Sequence, residues 1–204
     1  MKKTIKFLSL TLALTMIISI CSISPVFAEA RVFTDGTYKV GKDIVAGEYI
    51  IMPSTNYDAY YAIIDENGQY VESDSSRSRS VVQLSNNQSI RLNHSDMMAA
   101  LDSPKPDLSS RILPQGTYRA GIDIPSARYT LRPNTDQWVY GTYEIYEVYS
   151  DSTGYHKNII DQKMIAEETT VFLNPWQYIK VRNLNIIIPD NTPTSPLHDN
   201  WINS

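Results

Sequence analysis

The sequence predicts an all-β protein in which two tandem, small antiparallel β-sandwich modules of jelly-roll-like type follow a cleaved signal peptide. Three observations support this prediction: an apolar leader, an internal repeat across most of the remaining chain, and apolar side chains spaced two apart. The leader indicates the compartment, the repeat indicates two modules, and the spacing indicates strands.

The first 28 residues have the three parts of a secretory signal peptide. Three lysines give a positive start, the apolar run 7–23 follows, and small residues precede Ala28. We expect cleavage after Ala28, with Ala30 as the second choice. The alternative is a retained membrane anchor, which the short apolar run and the good cleavage site disfavour.

The amino-acid composition excludes some classes of partner and indicates the compartment. Cys21, the only cysteine, lies in the leader, so we expect no disulfide and no thiolate metal site in the mature protein. The chain has a net charge of −4, and binding to nucleic acid needs a continuous positive surface, so we expect no nucleic-acid partner. Because no second long apolar stretch follows, we predict no transmembrane segment after cleavage and a secreted protein, extracellular or loosely associated with the cell wall.

The internal repeat indicates a duplicated domain. Residues 36–49, GTYKVGKDIVAGEY, recur as residues 116–129, GTYRAGIDIPSARY. Further matches follow in the same order, such as QSIRL at 88–92 with QYIKV at 177–181. A chance similarity would be confined to one segment, so the order favours two copies of one module.

The repeat sets the predicted domain boundaries. We place the signal peptide at 1–28, the first β-sandwich at 29–103 and the second at 111–190. Residues 104–110, which include two prolines, are predicted to be a linker. Residues 191–204 are polar and contain prolines, so we expect a flexible tail there.

Alternating side chains predict the strands within each copy. Tyr118 and Ala120 fall on one side of a strand, while Thr117 and Arg119 fall on the other. Clusters of Gly, Asp, Asn and Pro separate such segments about every ten residues, which is typical of an antiparallel sandwich or small barrel. No helical crossover separates the strands, so we do not expect a parallel sheet.

A repeated Gly-x-Asp-Ile element is predicted to form a structural corner in each copy. We expect its aspartates to accept backbone N–H groups, its isoleucines to enter the core, and its glycines to adopt a positive φ. A duplicated aspartate in a corner favours a structural role over catalysis. The corner residues are Gly41, Asp43, Ile44, Gly121, Asp123 and Ile124.

One strand face differs between the copies. Ile50 and Met52 of the first copy occupy the positions of Thr130 and Arg132 in the second. An outward apolar face of this kind marks a contact surface. We therefore predict that the second module or another molecule covers Ile50 and Met52.

The repeated string and the later Gln-Ser/Tyr-Ile-Arg/Lys-Leu/Val strand resemble a repeat of exported Gram-positive proteins, an uncharacterised family with the pattern G-x-Y-x-V-G-x-D-I-P-A-G-x-Y. The resemblance covers both copies. Val45 replaces the proline of the pattern in the first copy, and Ala127 replaces the third glycine of the pattern in the second copy. The resemblance implies an exported protein with small β-domains, and it implies no activity and no functional residues.

The sequence contains no recognisable catalytic, metal or phosphate-binding motif. His94, His156 and His198 lack the spacing of a metal site, and neither a Gly-x-Ser-x-Gly elbow nor a glycine-rich phosphate loop is present. We therefore expect no enzyme activity, no cofactor and no metal.

Aromatic side chains are the main candidates for ligand binding. The chain has 14 tyrosines and 3 tryptophans, many of them on the third strand of a copy or in the loop before it. Sugar rings stack on such side chains, which favours a glycan-binding platform, whereas the alternative is that tyrosine simply suits half-buried strands. The candidates are Trp138, Tyr140, Tyr143, Tyr146, Tyr57, Tyr60 and Tyr61.

A second candidate surface is basic. Five cations of the second copy are predicted to point away from its core, which would suit an anionic wall polymer. The alternative is a solvated polar face whose members lie on different sheets. These cations are Arg119, Arg128, Arg132, Lys180 and Arg182.

Three hypotheses about function follow. The first is a secreted, noncatalytic binding module of the cell envelope or extracellular space, with glycan as the leading ligand class. The second is a structural or protein–protein interaction module with no small ligand, and the third is a hydrolase of unrecognised type. The expected partner is a cell-wall or extracellular glycan, or a surface protein.

Overall fold

The structure is a computed structural model that describes residues 31–134, 140–190 and 192. The described residues from Val32 onward form one compact unit. The predicted signal peptide, Trp138 and nearly all of the predicted tail lie outside the described residues. The described part of the chain has no helix with the length and hydropathy that a membrane crossing requires.

The first copy of the repeat forms eight strands in two antiparallel sheets. The strands are β1 (Val32–Phe33), β2 (Gly36–Lys39), β3 (Gly47–Pro53), β4 (Ala59–Ile64), β5 (Tyr70–Ser76), β6 (Ser80–Leu84), β7 (Ser89–Asn93) and β8 (Ser95–Ala99). One sheet has the order β1-β8-β3-β6 and the other β2-β7-β4-β5. We call this part the first module.

The second copy repeats this topology strand for strand. Its strands are β9 (Ile112–Leu113), β10 (Gly116–Arg119), β11 (Arg128–Pro133), β12 (Gly141–Asp151), β13 (Gly154–Ile165), β14 (Thr169–Phe172), β15 (Tyr178–Arg182) and β16 (Leu184–Ile187). The sheet orders are β9-β16-β11-β14 and β10-β15-β12-β13. Two four-stranded sheets in this order have jelly-roll topology. The prediction of two tandem antiparallel β-sandwich modules is confirmed, and we call this part the second module.

Each module buries its own core between its two sheets. Tyr49 and Ile51 of β3 belong to the first core, and Leu131 of β11 belongs to the second. On β15, Ile179 and Val181 are buried in the second core. These inward positions recur at a spacing of two, so the same positions of the repeat form both cores.

Four tyrosines of the repeat tie each strand end to the preceding loop. The hydroxyls of Tyr38, Tyr49, Tyr118 and Tyr129 each donate to the backbone carbonyl four residues earlier. Burial raises the pKa of Tyr118 and of Tyr129, so both hydroxyls keep their protons and remain donors. These contacts give a physical reason for the tyrosines that the two copies share.

The two corners share one backbone geometry. In the first, the Lys39 N–H donates to Oδ2 of Asp43 at 2.9 Å, and the Gly41 N–H donates to the Ile44 carbonyl at 2.7 Å. The corresponding distances in the second corner are 3.1 and 2.7 Å. The first glycine of each corner has a φ of +90° or +83°, a conformation that favours glycine, and the isoleucine of each corner is buried.

Residues 104–110, between the modules, form no strand but pack against both modules. Leu108 is buried in the core of the second module. The Pro104 carbonyl accepts a hydrogen bond from Arg79 of the first module at 3.1 Å. The segment therefore holds the modules together as well as connecting them.

Candidate functional site

An apolar contact joins the two modules. Ile50, Val81 and Ala100 form a small buried cluster on the first module, and Tyr178 of β15 packs against it. Ile50 is 0% exposed, so the prediction that its face is covered is confirmed. Met52 is 38% exposed, so the same prediction is wrong for Met52, because the second module covers Ile50 and does not extend over the end of β3.

A buried ionic network lies in the same interface. Arg119 donates through Nε and Nη2 to both carboxylate oxygens of Asp123 at 2.8 Å, and its Nη1 pairs with Glu48 of the first module. Arg79 of the first module donates to Asp123 Oδ1 at 2.9 Å. Glu48 also accepts the hydroxyl of Tyr178. Two cations and two carboxylates alternate here, so this network is neutral.

The network keeps its charges because each is paired. Burial by itself would raise the pKa of Asp123, but hydrogen bonds from Arg119 and the charge of Arg79 hold that pKa below its usual value. Burial disfavours the Arg119 cation, yet Asp123 and Glu48 outweigh this effect and raise the pKa of Arg119. The prediction of a basic surface is therefore wrong for Arg119, which is buried against the first module.

A cleft of about 860 Å³ opens beside this interface, with walls from both modules. One wall is the β5–β6 turn, and the other combines the loop before β10 with the β15–β16 turn. The lining consists of residues 74–80, 114–117 and 180–183, together with Asp58, Asn134 and Asn185.

The lining of this inter-module cleft is strongly polar. Among the described residues it contains four serines and one threonine, four side-chain amides, four cations and two carboxylates. Only Pro114, Gly116 and Val181 lack a polar side chain. The site therefore suits a ligand with many hydroxyl or charged groups, and it does not suit an apolar ligand.

Ion pairs hold the charged groups of the cleft. Asp74, whose side chain is buried, accepts Lys180 Nζ at 2.7 Å through Oδ2 and Arg182 Nη2 through Oδ1. Asp58 Oδ1 accepts Nε of Arg77 at 2.6 Å. Two of the predicted basic residues, Lys180 and Arg182, thus lie in the cleft and link the modules through Asp74.

The other two predicted basic residues lie elsewhere. Arg128 and Arg132 are on β11, in the β9-β16-β11-β14 sheet of the second module, and both are exposed. Arg132 pairs with Glu168 on that surface. The five cations therefore do not form a single basic surface, and the alternative that they lie on different sheets is confirmed.

A smaller cavity of about 400 Å³ adjoins the cleft and extends its polar surface. Its lining comes from residues 142–144 of β12 and 162–164 of β13, and it shares Lys180 and Arg182 with the cleft. A ligand longer than the cleft could therefore continue along the outer face of β12.

The predicted aromatic platform does not form as one surface. Tyr61 and Tyr143 are buried in the two cores, where their hydroxyls donate to Glu72 at 2.6 Å and to Asp161 at 2.7 Å. Burial is the main cause that raises the pKa of Tyr143 to about 12, and the hydrogen bond from its hydroxyl to Asp161 adds to the effect. The prediction that these two rings form an aromatic platform is wrong, because both side chains pack into the cores, although Tyr143 also borders the smaller cavity.

Tyr146 is also buried, but on the other face of β12. Its ring stacks on Tyr178 with centroids 5.0 Å apart, and Lys157 Nζ lies 3.9 Å from its centroid. Burial raises its pKa, and Glu72 of the first module adds to the effect. Tyr146 therefore supports the module interface and is not available to a ligand.

The remaining aromatic candidates are divided between the modules. Tyr57 is exposed with its ring 5.1 Å from that of His94, and Tyr60 is half-buried on β4. Tyr140 is exposed just before β12, and Trp138 lies outside the described residues. Tyr57 directly precedes Asp58 of the cleft, but Tyr57, Tyr60 and Tyr140 are not part of the lining described above.

The sequence interpretation did not single out the polar run 73–80, SDSSRSRS, which forms one wall of the cleft. It also passed over Trp176 in the turn before β15, outside the cleft lining, which is 72% exposed with a φ of +70°. Asn87 has the equivalent position and a φ of +69° in the first module. Aligning the copies would have revealed an aromatic residue at a position where asparagine is the natural choice.

Comparison with protein-family models and with curated proteins finds no match to this chain. Among the described residues, no three His, Cys, Asp or Glu side chains come together as a metal site would require. The functional proposal therefore rests on the chemistry of the cleft.

Proposed function

We propose that this protein is a secreted, noncatalytic binding protein of the cell envelope or extracellular space, and that the cleft between its modules binds a glycan. The supporting observation is the lining, in which hydroxyls, amides and charged groups come from both walls. Sugars present hydroxyls that both donate and accept hydrogen bonds, and such mixed side chains match them.

The ion pairs of the carboxylates in the cleft favour ligand binding over hydrolysis. Glycoside hydrolysis needs a pair of carboxyl groups, one of them protonated to act as a general acid. In the cleft, Asp74 is paired with Lys180 and Arg182, and Asp58 is paired with Arg77. Both carboxylates of the described lining are therefore engaged in ion pairs with cations of the same cleft, and neither is left unpaired to serve a hydrolytic reaction.

The packing of the modules favours a preformed site. The walls of the cleft belong to different modules, and the buried pair of Arg79 with Asp123 joins those modules directly beside it. The Thr117 N–H also donates to the Arg79 carbonyl at 2.9 Å. A ligand that binds between walls already held in place loses less free energy to ordering the protein.

The leader and the repeat motif support the proposed location. A positive start, an apolar run and small residues before Ala28 are what the export machinery recognises. The resemblance of both copies to a repeat of exported Gram-positive proteins points to the same compartment.

Binding to insoluble peptidoglycan and to a panel of soluble polysaccharides tests the proposal. We expect retention of the mature protein on at least one of them. An Asn134→Ala/Asn185→Ala variant, which loses two amides of the cleft, should bind that material about tenfold more weakly. Asn158→Ala on β13 is the matched control, and it should bind like the wild type. Absence of retention on every glycan would contradict the proposal.

A protein–protein interaction is the second candidate function, and the edge strand β13 favours it. β13 has 12 residues where its counterpart β5 has 7, and within the described residues only β12 pairs with it. Ile159, Ile160 and Met164 are exposed on it. A long edge strand with apolar side chains can add a strand from another chain. A dimer in sedimentation that Ile160→Lys converts to a monomer would support this function.

A further inference from the structure

We propose that the glycan bound under the function proposed above is anionic, and that the cleft recognises its carboxylate or phosphate groups with one arginine from each module. The two arginines are Arg77 of the first module and Arg182 of the second. Their positions on opposite walls would place the charged group of the ligand between the modules.

The charge of the cleft is the first reason. Arg79 is neutralised by Asp123 in the buried network, which leaves Arg77, Lys180 and Arg182 facing the carboxylates Asp58 and Asp74. The cleft thus keeps an excess positive charge, although the whole chain has a net charge of −4. A local potential opposite in sign to that of the rest of the protein selects an anionic ligand.

The sharing of Asp74 is the second reason. One buried carboxylate serves both Lys180 and Arg182, so it can neutralise only one of them. The Arg182 side chain is 52% exposed, and Asp74 is its one hydrogen-bond partner among the described residues, through Nη2. Nε and Nη1 of Arg182 therefore remain as donors for a ligand.

Arg77 provides the matching group on the opposite wall. Its side chain is 76% exposed and is held at Nε by Asp58, at 2.6 Å. Within the described part of the chain, no residue accepts a hydrogen bond from its Nη1 or Nη2. The guanidinium is a planar fork of donors that pairs in bidentate fashion with carboxylate or phosphate, whereas a neutral sugar offers no such partner.

Matched polymers that differ only in charge test this proposal. Polygalacturonate is compared with its methyl ester for the carboxylate, and phosphomannan with its dephosphorylated form for the phosphate. We expect the wild type to bind the charged member of at least one pair about tenfold more tightly. Raising NaCl from about 0.05 M to about 0.5 M should weaken that binding, because salt screens the exposed arginines.

Variants with equal charge locate the recognition. Arg77→Gln/Arg182→Gln should bind both members of the pair alike, with a loss of about tenfold for the charged member. Arg128→Gln/Arg132→Gln removes the same number of charges from the other sheet of the second module, and it should bind within about twofold of the wild type. Thermal unfolding of each variant shows whether it is folded.

The outcomes separate this proposal from the proposed function. Equal binding of charged and neutral polymers by the wild type would overturn the anionic ligand and leave glycan binding intact. An equal loss in both arginine variants would overturn the assignment of recognition to the cleft. If none of the four polymers binds, both proposals fail for these ligand classes. If one pair shows tighter binding of its charged member, that pair identifies the recognised group as carboxylate or phosphate.

Discussion

The two corners have the same backbone and opposite environments. In the first module, Lys39 and Asp43 are exposed to solvent. In the second, all four residues of β10 and the side chain of Asp123 are buried. The hydrogen bond from the backbone to the aspartate is 2.9 Å in one corner and 3.1 Å in the other. The backbone of the two corners is therefore alike, whereas their burial differs because only the second corner packs against the other module.

This difference shows how one copy of a duplicated element acquires a new structural role. Arginine at position 119 has the fork that lysine at position 39 lacks, so it can bond Asp123 and Glu48 at once. Arg79 then adds a cation from the first module. A turn that closes a strand in one copy has become the contact between modules in the other.

Replacing the corner aspartates should give the largest difference in stability between the two modules. Asp123→Asn leaves Arg79 and Arg119 buried with a weaker partner, so we expect the free energy of unfolding to fall by about 3–5 kcal/mol. Asp43→Asn keeps an oxygen for the backbone N–H in an exposed corner and should unfold close to the wild-type midpoint. Urea unfolding measures both, and equal losses would mean that the corners are equivalent.

The apolar contact should give the next largest effect. Ile50 is fully buried beneath the second module, so Ile50→Ala should lower the free energy of unfolding by about 2–4 kcal/mol. Thr130→Ala, at the equivalent position of the second module, serves as the matched control and should change it far less. A small effect for Ile50→Ala in urea unfolding would show that the modules do not pack through this cluster.

The stability of the protein at acid pH should depend on the buried carboxylate of Asp123. Because the pKa of Asp123 is lowered in the folded state, its stabilisation is present above its unfolded pKa of about 3.9 and is lost as the pH falls through the lower folded value. We expect stability to decline below about pH 4. Arg79→Gln removes one cation beside Asp123 and should reduce this decline. Urea unfolding at a series of pH values measures it, and an unchanged slope would contradict the role of Arg79.

The turn before β15 should give the smallest effect. Trp176 and Asn87 hold the same left-handed conformation, which asparagine tolerates better than tryptophan. Trp176→Asn should therefore raise the free energy of unfolding by about 0.5–1 kcal/mol. Trp176→Ala provides the comparison, since alanine lacks the ring but keeps the strain. A lower stability for Trp176→Asn would show that the exposed ring makes stabilising contacts.

Sequence reasoning predicted the fold because its main signals are local. The shared motif, the period of two and the turn residues predicted two antiparallel sandwiches, and they predicted that Ile50 would be covered. The same period correctly put Tyr118 and Ala120 on one side of a strand. It also put Thr117 and Arg119 on the other side, but it could not show that the first module buries that side.

The number of modules, their strands and the residues of each corner followed from the sequence, because the turn hydrogen bonds and the alternation along a strand depend on near neighbours. The burial of Tyr61, Tyr143 and Tyr146, and the sharing of Asp74 by Lys180 and Arg182 across the cleft, depend on contacts between distant segments. These contacts join residues far apart in the chain, and their geometry depends on which sheet each strand enters and on how the second module packs against the first.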